Sequence, residues 1–278
     1  MSRLLKPFML LAILAFLPGF GSGERLFAPS ADLWERWTRH DASSTARIDH
    51  SAWDALLARH VAARDGGANL VAYDGFSAKD RAQLERYVTA MAAIPIGDYP
   101  RDEQLAYWIN LYNALTVQVV LDNLPVASIR DINTSPGLFS SGPWGQEVVS
   151  VEGHALSLND IEHRILRPIW RDPRIHYGVN CASIGCPDLA PRAYTGATVQ
   201  GMLDAAARSY VNDPRGVLVR DGKVTVSRIY DWFIEDFGGS EQAVLDHLRR
   251  YAEPDLAARL TVVGGLTDTQ YDWSLNGR

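Results

Sequence analysis

LAYWINLYNALTVQVVLDNL, residues 105–124, decides how this chain is read. On a helical wheel its apolar residues fall on every side, the pattern of a helix sunk in a core. The polar exceptions are few: Asn110 and Asn113, one turn apart on one flank, then Gln118 and the Asp122–Asn123 end. A buried carboxamide needs hydrogen-bond partners, so the two asparagines predict something polar facing them inside the fold. The stretch is too short and too polar for a membrane span.

Working outward, 278 residues at 47% hydrophobic content suffice for one large core or two smaller ones. A net charge of −6 argues against a nucleic-acid partner, which needs a basic face. Eight tryptophans and eleven tyrosines are spread along the chain, a distribution that predicts packing before a carbohydrate or peptide groove. Arg3 and Lys6, then an apolar run from Phe8 to Leu17, then Pro18, Gly19, Gly21, Ser22 and Gly23 follow the order of a secretory signal peptide. The expectation is a leader over residues 1–23, a periplasmic or secreted protein, and no membrane contact beyond that leader.

Apolar periodicity predicts helices over residues 30–63 and, capped by Ser77, through Ala92. Residues 70–73 read as a short strand, and residues 147–151 and 154–156 as two strands around Glu152–Gly153. A helix capped by Ser157 follows through Leu166, then a strand over residues 174–180 and a helix over 197–212. Asp221–Gly222 marks a hairpin between residues 217–219 and 224–226, and helices are expected over 227–237, 241–251 and 255–260. No linker or repeat interrupts this order. The fold class is α+β: one mostly helical domain, residues 24–278, with a small mixed or antiparallel sheet around the buried helix.

AYWINLYNA at residues 106–114, LSLNDIEHRILR at 156–167 and HYGVNCASIGCP at 176–187 resemble the domain-of-unknown-function family 547. YDWF at 230–233 and YDWSLN at 271–276 resemble its exported bacterial members. The resemblance covers most of the chain beyond the leader and implies no particular activity. Kinship with papain-like or transglutaminase-like thiol enzymes is fold-level analogy alone. A papain-like central helix would carry the nucleophile at its N-terminal end, and residues 105–124 contain no cysteine.

Chemistry therefore falls to the loop after residue 180. Cys181 precedes Ala182, Ser183 and Gly185, a small-residue loop whose backbone amides are expected to line an oxyanion hole. If residues 174–180 are a strand, His176 and Cys181 stand ~16 Å apart. His176 then reads as a core-edge histidine, and Asn180 is the better-placed orienting group. On the helix after Ser157, Glu162 falls within the apolar stripe of Leu158, Ile161 and Ile165, whereas His163 turns toward the polar side. A buried Glu162 needs donors, and Asn110 and Asn113 are expected to hold either Glu162 or the cysteine loop in place.

Three readings stay open. Cys181 is the nucleophile of a hydrolase or acyltransferase on amide or peptide bonds, with His163 as base and Glu162, Asn110 or Asn180 orienting. Alternatively, a Cys181–Cys186 disulfide pins the loop of a non-catalytic envelope binding module. Thiol–disulfide exchange is the third, weakened because the spacing is not CxxC. Asn113, Ser183, His176 and Tyr194 are the expected contacts for a small-molecule, peptide or glycan ligand. No cofactor is expected. His176, Cys181 and Cys186 do not have a zinc-site spacing, and no metal is expected.

Overall fold

The computed structural model describes residues 25, 28–64, 66–136 and 142–278, so the expected leader over residues 1–23 lies outside it. The helix expected over residues 30–63 is broken. A 3-10 turn at Glu35–Thr38 comes first, and the helix proper, α1, is Ser51–His60. Strands β1 (Val61–Ala62) and β2 (Leu70–Val71) pair antiparallel. Helix α2, Ala78–Ala92, starts where Ser77 placed it: the Ser77 hydroxyl accepts from the Asp80 N–H, and the Asp80 carboxylate accepts from the Ser77 N–H.

Helix α3, Arg101–Asp122, is the central rod. Among residues 103–121 only Gln118 escapes burial. Next come β3 (Glu147–Val151) and β4 (His154–Ser157), an antiparallel hairpin turned at Glu152 and Gly153, both at positive φ.

The helix after Ser157 is wound wider than an α-helix. Asp160–Leu166 is a π-helical segment, closed by the Arg167 N–H reaching the Glu162 carbonyl five residues back. It continues as α4, Arg167–Trp170. Pro168 has no N–H to return to Arg164, which removes one α-helical bond. The freed carbonyls of His163 and Arg164 accept instead from the N–H groups of Asp32 and Trp34, both at 3.0 Å. Wider winding brings His163 inward beside Glu162; it is 6% exposed and does not face the polar side as the α-helical wheel predicted.

Residues 174–180 do not form a strand. Asp172 accepts from the Arg174 N–H at 2.9 Å, Pro173 fixes the backbone, and a short helix, α5, runs Ile175–Gly178. A Cβ on Gly178 would lie 2.8 Å from Leu203 Cδ2, so only glycine lets α5 pack this closely. Helix α6 is Val199–Val211, and β5 (Val217–Arg220) and β6 (Lys223–Ser227) form the Asp221–Gly222 hairpin. The expected 227–237 helix shrinks to α7, Ile229–Trp232. Then α8 (Glu241–Tyr251), α9 (Pro254–Val262) and β7 (Asp268–Gln270) follow, β7 pairing parallel to β6 in a mixed three-stranded sheet.

The fold is α+β, and its apolar interior divides in two. One core surrounds α3; the other lies among β5, β6, α8 and α9. Helix α6 reaches both, giving Val199 and Leu203 to the first and Tyr210 and Val211 to the second. The segment 179–186 and the C-terminal residues 271–276 cross this seam. No helix among the described residues is long and apolar enough to cross a membrane.

Candidate functional site

The loop after α5 is held from both sides. Asn113 on α3 donates to the Gly178 carbonyl at 2.9 Å and accepts from the Asn180 N–H at 2.8 Å. Asn180 donates to the Pro187 carbonyl and accepts from the Ala182 N–H, closing the loop over Cys186. Across the loop lies the C-terminal strap. Ile184 and Gly185 donate backbone N–H bonds to Ser274 and Asp272, and Asn276 donates to Ala182. A Cβ on Gly185 would meet Asp272 N at 2.6 Å, so this contact requires glycine.

Both cysteines stand as free thiols, Cys181 half-buried and Cys186 buried. The Cys181 N–H donates to Cys186 Sγ at 2.9 Å. Ser183 Oγ lies 3.2 Å and the Tyr271 hydroxyl 3.0 Å from Cys181 Sγ. Ser183 Oγ also donates to the Tyr271 hydroxyl at 3.1 Å. The Cys186 thiol, then Ser183 and Tyr271, hydrogen-bond the Cys181 sulfur and hold its thiol below the ordinary range despite burial. Cys186, with no comparable set of donors, is pushed up by burial. Ala182, between them, adopts a left-handed φ of 60° that a non-glycine residue rarely takes.

Four of the backbone amides expected to line an oxyanion hole are already engaged. The N–H groups of Ala182, Ile184, Gly185 and Cys186 are engaged by Asn180, Ser274, Asp272 and Ser183.

Glu162, His163 and His176 gather in a second cluster. Glu162 is 8% exposed, yet its partners are not the asparagines. Its carboxylate hydrogen-bonds the Tyr112 hydroxyl and lies 3.7 Å from His176 Nδ1 and 4.0 Å from His163 Nδ1. Asp236 bridges His176 Nε2, at 2.7 Å, and Arg167 Nε, at 2.5 Å. Burial acts to raise Asp236, but the His176 and Arg167 hydrogen bonds prevail and hold it at about 2. Phe233 stacks on His176 at 4.4 Å and carries the Arg167 guanidinium on its ring at 4.6 Å. Among the described residues no hydrogen bond joins a histidine to Cys181. Glu162 is the link between the clusters, near enough for its charge to oppose a thiolate at Cys181.

Asn110 serves a third place. It donates to the Tyr194 carbonyl at 2.7 Å and accepts from the Tyr194 N–H at 3.0 Å. Tyr194 lines a groove of 760 Å³ with Asp188, Arg192, Thr198, Met202 and Ser209. That groove lies along α6 and does not include Cys181, so the groove and the Cys181 sulfur are separate features. Sequence reading did not reach Tyr112, Arg167, Asp236 or the role of Tyr271. The YDWSLN motif was the available signal for Tyr271; Asp236 had none.

Residues 96–211 match the model of the family described as "Protein of unknown function, DUF547", which supports the resemblance to that family over this span. The matched segment holds Asn110, Asn113, Glu162, His163, His176 and the cysteine loop, and ends before Asp236 and Tyr271. No curated protein and no solved structure matches the chain.

Proposed function

We propose that this chain is an exported thiol-active protein in which Cys181 attacks and Cys186 resolves, exchanging thiols with a partner disulfide. The observation that carries the reading is the asymmetry of the pair. A half-buried sulfur faces the Tyr271 and Ser183 hydroxyls, and a buried sulfur pushed up in pKa sits within hydrogen-bond reach of it. In the exchange, the Cys181 thiolate bonds to one sulfur of the partner disulfide and expels the other as a thiolate. Cys186, losing its proton, then attacks Cys181 Sγ and expels the second partner sulfur. Two electrons pass to the partner, whose sulfurs leave as one thiol, carrying the proton Cys186 lost, and one thiolate, and a Cys181–Cys186 disulfide remains.

Acyl transfer from the same thiol, as a hydrolase or acyltransferase, is the second reading. The Glu162–His176–Asp236 chain of titratable groups on the far side of Tyr112 favours it. It would need His163, whose Nδ1 accepts from Arg167 Nη1 at 3.0 Å, to be released toward the sulfur.

Oxidised glutathione separates these readings. The Cys186→Ser variant should accumulate a glutathione adduct on Cys181, and the native chain should pass on to the internal disulfide. An adduct on neither cysteine, or equally on Cys186 of the Cys181→Ser variant, contradicts the exchange reading. Turnover of ester or amide probes that survives Cys186→Ser but not Cys181→Ser would move the assignment to acyl transfer. A disulfide that forms but never exchanges would leave a binding module with a pinned loop.

A further inference from the structure

Cys181 lacks the histidine that usually manages a reactive thiol's proton, and the C-terminal strap brings something else to the sulfur. We infer that Tyr271 is the hydrogen-bond donor that stabilises the Cys181 thiolate in each exchange. The inference rests on the thiol-exchange reading and deepens it. Tyr271 lies well beyond the segment that matches the family, ninety positions from Cys181 in sequence.

Three observations converge on it. The Tyr271 hydroxyl is 3.0 Å from Cys181 Sγ, closer than the Ser183 hydroxyl. Ser183 Oγ donates to that same phenol, so the Tyr271 proton is left to point at the sulfur. The ring is fixed by tilted contacts with Trp232 at 4.9 Å and Trp273 at 4.6 Å. The backbone on either side of the ring is pinned too: Arg228 donates to the Gln270 carbonyl, and Gly185 to that of Asp272. A phenol held this firmly needs no reorganisation when negative charge appears on sulfur.

The phenol keeps its proton throughout: it donates a hydrogen bond to the Cys181 thiolate before that sulfur attacks, and its own O–H bond is not broken. Burial, together with the negative charge of a Cys181 thiolate, pushes the Tyr271 phenol up. The phenol therefore stays protonated and serves as a donor.

The test is the rate of Cys181 alkylation by iodoacetamide against pH, read by mass in native protein and in Tyr271→Phe. Removing one hydrogen bond to a thiolate should raise the alkylation midpoint by about one to two pH units. The native pattern of slow Cys186 labelling should persist. An unchanged midpoint in Tyr271→Phe overturns the role of Tyr271 and leaves the exchange reading standing. A native Cys181 that titrates like an ordinary thiol removes the exchange reading itself. If Tyr271→Phe melts below the assay temperature, both proteins are read at a lower temperature at which the variant is folded, and a midpoint equal to the native one overturns the inference.

Discussion

Arg167 decides what His163 is in the folded chain. A guanidinium only donates, so the His163 Nδ1 that lies 3.0 Å from Arg167 Nη1 must be an acceptor, and the ring is neutral with its proton on Nε2. Burial lowers the His163 pKa to about 4, against the pull of Glu162, with Arg167 adding to the drop. His50 and His247, also lowered chiefly by burial, lie at about 4 too. A histidine whose folded pKa lies below its unfolded value stabilises the fold above the unfolded value of 6.5. That contribution is lost as pH falls toward 4, because the unfolded chain takes up protons the folded one refuses. Urea unfolding should therefore show stability falling steeply between pH 6.5 and 4.5, by roughly 3 kcal/mol for each such histidine at most. His163→Gln should flatten part of that fall. Asp236 acts in a lower window: its carboxylate contributes above 3.8 and is lost as pH drops through about 2. A flat profile from pH 7 to 4.5 would show that these rings are not held neutral by burial.

At the scale of elements, what was legible in the sequence was what local chemistry controls. The Ser77–Asp80 capping box, the all-round apolar pattern of α3 and the Asp221–Gly222 turn each carry their instruction within a few residues. The π-helical segment does not. Its winding depends on N–H groups from Asp32 and Trp34, more than a hundred positions away, and the wheel used for Glu162 and His163 assumed α-helical spacing. The run 174–180 looked like a strand because Ile, His, Tyr and Val favour one, but the Asp172–Pro173 start and the packing at Gly178 override that preference. The asparagines of α3 do need partners: Glu162 is not one of them, but Asn113 does hold the start of the cysteine loop. They hold backbone, Tyr194 for Asn110 and the Gly178–Asn180 turn for Asn113. Asn113→Leu keeps the volume but orphans a buried carbonyl and a buried N–H. It should cost roughly 2–5 kcal/mol in chemical denaturation and make Cys186 accessible to alkylation. Unchanged stability with Cys186 still protected would mean that the turn does not depend on α3.

At the scale of the whole molecule, the thiol loop lies on the seam between two cores, tied to the first by Asn113 and crossed by a strap whose Tyr271 packs on the second and whose Leu275 packs on the first. The cysteine loop is marked out in the sequence by its own residues; its completion by residues 271–276 is not, since no local pattern signals a contact ninety positions away. The arrangement ties sulfur chemistry to the packing of both halves, so oxidation should leave the cores intact while changing the loop. Equilibration of the native chain in graded reduced and oxidised glutathione, quenched with acid and read by mass, tests this account most directly. A single two-electron transition between dithiol and Cys181–Cys186 disulfide, with no build-up of glutathione adduct, is the predicted result. A chain that accumulates adduct without ever closing the internal disulfide, or that stays a dithiol throughout, would contradict it.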